Sequence, residues 1–180
     1  MMKLEKKWMS LMKKLSQILC SILFFFVLFD TPVFGQNEFI GYVKVIDGDT
    51  IILNKITIRF SGIDAPESFF KGKSQVCNSL INDKKFFCGK LAKKKLKEKV
   101  KNKTVTCLPE YLDRYKRVIA ECFVNGESLS SYMVKSGFAF DYVKYSKGKF
   151  ENDQNFAKEN KLGLWNSKFD YPWVWRKLNK

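Results

Sequence analysis

The sequence predicts an α+β fold, in which the strands of a small β-barrel come first and helices are interleaved later. Short segments of alternating apolar and polar residues, the pattern of half-buried strands, begin near residue 42. Segments with the apolar spacing of amphipathic helices follow from about residue 89. An antiparallel core with helices added in this way is typical of α+β domains. The 180 residues suffice for one such domain and a short leading segment.

The leading segment, residues 1–35, has the features of a signal peptide that precedes a domain over residues 36–180. It combines a lysine-rich start with an apolar run over residues 18–29, and small or modest residues precede Gln36. Cleavage after Gly35 is expected, and an uncleaved N-terminal anchor is the alternative. In both cases the domain is exported, to the periplasm or outside the cell, because positive charge before the apolar run stays inside.

Three strands are expected at the start of the domain, over residues 42–46, 51–53 and 56–63. Apolar and polar residues alternate in the third strand, so that Arg59 projects from its polar face. Asn54 and Lys55 form the tight turn before this strand. Antiparallel register about that turn places Arg59 opposite Thr50 and beside Asp49.

A second hairpin is expected, with strands over residues 105–108 and 118–123 and a turn over residues 113–117. Its antiparallel register places Cys107 opposite Cys122 and favours a disulfide between them. A Cys77–Cys88 disulfide would then close the lysine-containing insert. Four Cys permit three pairings, and an even number of Cys in an exported chain indicates disulfides. A zinc site is disfavoured because the chain has no His and no Cys-x-x-Cys spacing.

Three helices are expected, over residues 89–101, 128–136 and 151–161. Gly137 and Gly163 each follow a helical pattern at the position where a left-handed residue commonly ends a helix. The tail over residues 172–180 is aromatic and basic, and no helix is predicted there.

The charge of the domain indicates a polyanionic partner. The formal net charge is +15, of which residues 1–35 contribute +3, so residues 36–180 carry +12. Nucleic acid and an anionic membrane surface both fit this surplus, and a solvated lysine-rich helix face is the alternative explanation. The absence of His excludes catalytic triads, His general bases and His-ligated metals. Catalysis would therefore use carboxylates and cations, with or without a metal ion.

Charged residues are concentrated where predicted strands end, within residues 47–50, 59–67 and 113–117. Asp49 and Asp64 would form a hard-oxygen site suited to one Ca²⁺, completed by a main-chain carbonyl and waters. Glu67 would position or deprotonate the attacking water of a phosphodiester hydrolysis. Arg59 and Arg117 would stabilise charge on the phosphate oxygens. An ordinary turn is the alternative for residues 47–50, since Asp and Gly favour turns.

These segments resemble the staphylococcal nuclease family, and most closely its exported bacterial branch with paired cysteines. The matching stretches extend over nearly all of residues 40–176 in the family's order: V-I-D-G-D-T, I-R-F-S-G-I-D-A-P-E, D-R-Y-K-R followed by V-I-A-E-C, S-G-F-A-F-D-Y, L-G-L-W and F-D-Y-P-W-V-W-R. The resemblance implies a five-stranded OB-fold barrel with about three helices. It also implies a calcium-dependent nuclease that acts on DNA and RNA and leaves 3′-phosphate and 5′-hydroxyl ends.

The resemblance further implies roles for individual residues, in each case by motif position. Asp49 and Asp64 match the metal-binding carboxylates, and Ala65 matches the carbonyl donor. The residues that match the catalytic set are Arg59, Glu67 and Arg117. Asp47 matches a carboxylate near the metal, with a purely turn-forming role as the alternative. The residues expected near the substrate are Arg114, Tyr115, Tyr142 and Tyr145, with core packing as the alternative for the three tyrosines.

Two features depart from the family pattern. Lys116 stands where Gly is usual, so the turn before Arg117 is expected to need a different backbone geometry. The insert over residues 69–87 lengthens the loop after Glu67, and this bears on substrate access and preference.

A non-catalytic OB-fold protein that binds nucleic acid is the main alternative, because such barrels often keep binding after catalytic residues are lost. The presence of Asp49, Asp64, Arg59, Glu67 and Arg117 together disfavours it. A basic structural protein of the cell envelope would explain the charge and the leader, but not the acidic residues at strand ends. A monomer is expected, with DNA and RNA as substrates, no stable protein partner, and membrane contact only if the leader is uncleaved.

Overall fold

The computed structural model describes Met12 and residues 38–180. The chain divides into units over residues 1–35 and 36–180, and the fold described below is that of the second unit. The expected signal peptide lies outside the described residues apart from Met12, so both its presence and its cleavage stay predictions. In the described part of the chain, no helix has the length and apolar character that crossing a bilayer requires.

Twelve strands occur in the described residues: β1 (Phe39–Gly41), β2 (Val43–Asp47), β3 (Thr50–Leu53), β4 (Ile56–Phe60), β5 (Ile63–Asp64), β6 (Cys77–Ser79), β7 (Lys85–Phe86), β8 (Val105–Leu112), β9 (Val118–Val124), β10 (Glu127–Ser128), β11 (Phe140–Asp141) and β12 (Ser167–Lys168). The main sheet has the order β1-β8-β9-β4-β3-β2, and β10 also pairs with β9. All these neighbours are antiparallel except β4 and β9, which are parallel.

Within this sheet the strands β2, β3, β4, β8 and β9 form the curled barrel of an OB-fold, which confirms the predicted α+β class. Its interior is filled by fully buried side chains from the strands and from the helices that cover them, among them Ile51, Leu53, Ile58, Leu96, Val105, Leu129 and Met133. The site described below lies at one end of this barrel, where β4 and β5 are separated by a short turn.

The first hairpin has the predicted register. Arg59 lies opposite Thr50, and the turn residues Asn54 and Lys55 both have positive φ, at 51° and 68°. Positive φ at both positions gives a two-residue turn the twist that antiparallel strands require. The single strand predicted over residues 56–63 is wrong, because Gly62 has a φ of 72° and separates β4 from β5. This break turns Asp64 back toward Arg59.

Five α-helices occur in the described residues: α1 (Cys88–Val100), α2 (Leu129–Lys135), α3 (Val143–Ser146), α4 (Glu151–Glu159) and α5 (Pro172–Leu178). The three predicted helices correspond to α1, α2 and α4. Helices α3 and α5 were not predicted, and the four residues of α3 are too few to show a helical period. A 3₁₀ helix over Gly163–Asn166 follows α4.

Of the two predicted helix-ending glycines, one is confirmed and one is wrong. Gly137, with a φ of 76°, directly follows the last residues of α2. Helix α4 is instead followed by Lys161 in the left-handed region, at a φ of 51°. Gly163 is required by a close approach, because a Cβ at this position would lie 2.5 Å from the carbonyl oxygen of Gly137.

Both predicted disulfides are present in the structure. Cys107 and Cys122 lie opposite each other on β8 and β9, as the register required. Cys77 and Cys88 join the start of β6 to the start of α1 and close the insert. In the insert, β6 and β7 form a small sheet with β12, so this segment is an ordered addition to the barrel.

Replacement of both Cys107 and Cys122 by Ala is expected to lower the free energy of unfolding by about 3 kcal/mol. The disulfide joins residues that are 15 apart, and a loop of that length loses roughly this much unfolded-chain entropy on cross-linking. Urea unfolding of the double variant against the unreduced wild type measures the difference. A loss below about 1 kcal/mol would contradict the estimate.

Candidate active site

Arg59 joins two buried carboxylates at the end of the barrel. Its Nη1 lies 2.8 Å from Asp49 Oδ2, and its Nη2 lies 2.6 Å from Asp64 Oδ1. The side chain of Arg59 is 16% exposed, whereas those of Asp49 and Asp64 are 4% and 0% exposed. The two carboxylates predicted to bind a metal therefore lie on either side of a single positive group.

Neighbouring donors fix the orientation of Asp49. The hydroxyl of Thr50 donates to Oδ1 at 2.8 Å, and the main-chain N–H of Ala65 donates to Oδ2 at 3.0 Å. The bond to Ala65 connects the β2–β3 turn to the segment after β5. Because Ala65 directly follows Asp64, the last residue of β5, the predicted metal-binding residues Asp49, Asp64 and Ala65 are brought together.

Glu67 is held by a residue of the insert that sequence reasoning missed. Gln75 is fully buried. Its side-chain Oε1 accepts from the main-chain N–H of Glu67 at 3.3 Å, and its main-chain N–H donates to the carbonyl of Glu67 at 2.9 Å. Gly89 allows α1 to approach this segment, since a Cβ there would collide with the carbonyl of Glu67. No local sequence pattern indicated that Gln75 belongs to the site.

Arg176 is the second residue that the sequence did not reveal. Helix α5 carries it into the site, where Nη1 donates to Asp64 Oδ1 at 3.0 Å and to Glu67 Oε1 at 2.6 Å. Its Nη2 donates to Asp64 Oδ2 at 2.7 Å. The signal available in the sequence was the arginine that closes the F-D-Y-P-W-V-W-R stretch, but 112 residues separate it from Asp64.

Asp47 lies behind the cluster and ties two segments together. It accepts from the N–H of Gly48 at 2.8 Å and from the N–H of Ser68 at 3.1 Å, so it both forms the turn and supports the residue after Glu67. Burial, followed by the charges of Asp49 and Glu67, raises the pKa of Asp47 to about 7. Burial also raises the pKa of Asp64 and that of Glu67.

Replacement of Asp47 by Asn is expected to flatten the pH dependence of stability. The pKa of Asp47 is about 7 in the folded protein against 3.8 ordinarily, so between these values the folded state binds more protons than the unfolded state. Stability of the wild type therefore falls as the pH rises through this window, and the Asn side chain cannot contribute to the fall. Urea unfolding in chelator at about pH 5 and pH 8 measures it. The idea fails if the free energy of unfolding falls between pH 5 and pH 8 by the same amount in the variant as in the wild type.

Arg117 is presented by the β8–β9 turn. Asp113 accepts from its Nε at 2.8 Å and from its Nη2 at 2.7 Å, and also accepts from its main-chain N–H. Lys116 has a φ of 61°, in the left-handed region that favours glycine. The turn is thus formed without glycine, and the Arg117 side chain remains 29% exposed.

The predicted catalytic and substrate-contacting side chains line one cleft of about 810 Å³: Arg59, Glu67, Arg114, Tyr115, Arg117, Tyr142 and Tyr145. Arg176, which was not predicted, also lines this cleft. Tyr115 is exposed and has the guanidinium groups of Arg114 and Arg117 within 4.7 and 5.5 Å of its ring centre. Tyr142 is half-buried and stacks on Trp173, with ring centres 4.8 Å apart. It therefore packs against a neighbouring ring and also lines the cleft. Asp49, Asp64 and Ala65 lie behind the cleft wall, covered by Arg59 and Arg176.

The donor set of this cluster fits a hard divalent cation. Four carboxylates, those of Asp47, Asp49, Asp64 and Glu67, are accompanied by only two guanidinium groups, which leaves two negative charges unbalanced when all four are ionised. The raised pKa values of three of them reflect this excess together with burial. All available ligands are oxygens, the preference of Ca²⁺. Among the described residues, however, no three carboxylate side chains come close enough together to hold an ion.

The comparison with known proteins agrees with this geometry. Residues 57–167 match the family model described as staphylococcal nuclease homologue. An uncharacterized endonuclease of Escherichia coli is 31% identical over 156 residues, which cover 83% of this chain and 92% of that protein. An uncharacterized endonuclease of Haemophilus influenzae is 33% identical over 146 residues, 77% of this chain and 72% of the relative.

A plant relative shares the domain within a longer protein. The staphylococcal-like nuclease CAN1 of Arabidopsis thaliana is 34% identical over 143 residues, which cover 76% of this chain but only 38% of the plant protein. Residues 57–167, which the family model matches, contain the disulfide-linked hairpin and most of the cleft residues, whereas β2 and β3 precede them. The family match and the endonuclease relatives together confirm that the chain belongs to the staphylococcal nuclease family, a family of nucleases.

Proposed function

We propose that the protein is a calcium-dependent nuclease that hydrolyses DNA and RNA to products with 3′-phosphate and 5′-hydroxyl ends. The observation that supports this most is the joining of Asp49 and Asp64 through Arg59, directly beside Glu67 in the cleft. A binding module without catalysis would have no need of an unbalanced carboxylate cluster under a basic cleft, because buried carboxylates are costly.

Asp49, Asp64 and the carbonyl of Ala65 would hold the ion. Bound there, Ca²⁺ would supply Lewis-acid polarisation of a phosphate oxygen. The excess of carboxylate charge in the cluster is what gives these residues their affinity for a divalent ion. Asp47 would support the site from behind, by holding Gly48 and Ser68 in place.

Glu67 would act as the general base. Its raised pKa, caused first by burial and then by the charge of Asp49, makes its carboxylate a better proton acceptor than an exposed one. The proton of the attacking water would pass to Glu67, a P–O bond would form, and the bond from phosphorus to the 5′ oxygen would break. The 5′ oxygen would take up a proton from solvent and leave as the 5′-hydroxyl. Gln75 keeps the Glu67 main chain fixed from both its N–H and its carbonyl, which limits the movement of the base.

Arg59 and Arg117 would bind the phosphate oxygens as charge accumulates on them. Planar guanidinium groups can each donate two bonds to such oxygens. In the free protein both are paired with aspartates, and a phosphate would replace the Asp113 contact of the partly exposed Arg117. Tyr115, Tyr142, Tyr145 and Arg114 would contact the flanking nucleotides from the cleft wall.

A paired assay tests this function. The purified full chain is incubated with DNA and with RNA, either in Ca²⁺ or in excess chelator, and we expect hydrolysis only with Ca²⁺. New 5′ ends should accept phosphate from a polynucleotide kinase without prior dephosphorylation. An Asp64→Asn variant should be inactive in Ca²⁺. Undiminished hydrolysis in chelator would reject the metal assignment, and blocked 5′ ends would reject the product assignment.

We also propose that residues 36–180 act as the mature domain outside the cytoplasm, after removal of residues 1–35. Two disulfides support this location, because such bonds persist in oxidising compartments. N-terminal sequencing of the protein recovered from periplasm and medium tests the boundary, with Gln36 expected as the first residue. Recovery of an intact N terminus from the membrane fraction would favour the anchor instead.

A further inference from the structure

We propose that Arg176 is an internal counter-cation of the nuclease site, which holds Asp64 and Glu67 when no divalent ion is bound and leaves them when the ion binds. This inference rests on the proposed calcium site. In the absence of the ion, the guanidinium group of Arg176 occupies ligand oxygens of that site. The role assigned to Arg176 is positioning and competition for ligand oxygens.

Guanidinium donors occupy most of the acceptor positions of the Asp64 oxygens. Oδ1 accepts from both Arg59 and Arg176, and Oδ2 accepts from Arg176. A carboxylate offers about four acceptor positions, so only one remains on Asp64. An ion that binds Asp64 must therefore displace a guanidinium donor or lie directly beside one inside a buried cluster.

Arg176 is the arginine that would leave, and Arg59 would stay in place. Arg59 belongs to β4, which lies between β3 and β9 inside the sheet, and it also binds Asp49. Arg176 belongs to the seven-residue helix α5, which is not part of the barrel sheet. Movement of α5 would break side-chain contacts only, whereas movement of Arg59 would disturb the barrel.

Arg176 also lies between the cleft and the buried aspartates. Arg59 and Arg176 both line it, while Asp49 and Asp64 lie behind them. The contact of Arg176 with Glu67 Oε1, at 2.6 Å, also occupies one of the two oxygens of the proposed base. Withdrawal of Arg176 would thus open the route to Asp64 and free the base in one movement.

Helix α5 contains its own reporters of such a movement. Trp173 stacks on Tyr142 at 4.8 Å and on Tyr171 at 4.6 Å. Trp175 is buried and packs edge-on against Phe70, with ring centres 6.1 Å apart. Displacement of Arg176 would change the surroundings of both tryptophans, so their fluorescence should respond to the ion.

Calorimetric titration of Ca²⁺ into the full chain tests the competition directly. Arg176→Gln is expected to bind Ca²⁺ about tenfold more tightly than the wild type, because the binding-competent state no longer requires release of the guanidinium. The matched control is Lys177→Gln, which removes the same charge from the neighbouring exposed residue of α5, and its affinity should stay within about twofold of the wild type. Equal or weaker binding by Arg176→Gln would overturn the inference, as would an equal gain in Lys177→Gln.

Two further measurements cover the folded state of the variants. Tryptophan emission should change on Ca²⁺ addition in the wild type and much less in Arg176→Gln. The Ca²⁺-induced rise in Tm should be larger for Arg176→Gln, since tighter binding stabilises more at a given concentration. If Arg176→Gln does not fold in chelator, Arg176→Lys replaces it, with an affinity expected between those of the wild type and the Gln variant. A Lys variant that binds no more tightly than the wild type would then overturn the inference.

The outcomes separate this inference from the proposed function. If the wild type binds Ca²⁺ and cleaves DNA but Arg176→Gln gains no affinity, only the role of Arg176 is rejected. If neither protein binds Ca²⁺, the proposed metal site and the inference are rejected together.

Discussion

Replacement of Glu67 by Gln is expected to lower kcat for DNA hydrolysis by about 10²- to 10⁴-fold, the range typical of a lost general base. The amide cannot accept the proton of the attacking water. Its oxygen can still accept from Arg176, and the main-chain bonds to Gln75 are unaffected, so the fold should persist. KM should change little, because the phosphate-binding arginines remain.

Initial rates in saturating Ca²⁺ measure this effect, and Glu159→Gln is the matched control. Glu159 is exposed at the end of α4 and lies outside the cleft. The control should retain the rate of the wild type. A Glu67→Gln variant within about tenfold of the wild-type kcat would show that another group removes the proton.

Replacement of Arg59 by Gln is expected to lower the free energy of unfolding by about 3 kcal/mol or more in chelator. The substitution leaves Asp49, only 4% exposed, without a positive partner, and broken buried ion pairs have costs of this size. Asp64 retains Arg176, so the main loss should come from Asp49. Activity should also fall, because Arg59 is one of the two arginines assigned to the phosphate.

A double variant distinguishes charge from packing. Adding Asp49→Asn to Arg59→Gln removes the uncompensated carboxylate and should recover a large part of the lost stability. Urea unfolding of both variants measures the coupling between the two residues. A single variant that loses less than about 1 kcal/mol, or a double variant that recovers nothing, would contradict the electrostatic explanation.

The sequence predicted those parts of the site that depend on local rules. Side chains alternate along strands, and the Asn54–Lys55 turn sets the register, so the position of Arg59 opposite Thr50 could be derived. The same reasoning placed Cys107 opposite Cys122. The break at Gly62 was missed, although Ile63 is out of phase with the alternation that ends at Phe60, and a glycine within a strand pattern is a known indication of a bend.

The parts that could not be predicted depend on contacts between distant segments. Arg176 reaches Asp64 across 112 residues, from the helix α5 that was not predicted. Gln75 lies in the insert that was expected to affect substrate access, yet its described contacts fix the main chain of Glu67. In both cases a side chain supports the site through tertiary packing, which neither composition nor spacing indicates.

The proposed function depends above all on the binding of one calcium ion by Asp49 and Asp64, beside Glu67. Anomalous diffraction from crystals grown with Ca²⁺ tests it most directly. We expect a single peak at about 2.3–2.6 Å from an oxygen of each of these two aspartates. A peak bound only by other carboxylates, or no peak in this cluster at a Ca²⁺ concentration that supports cleavage, would contradict the account.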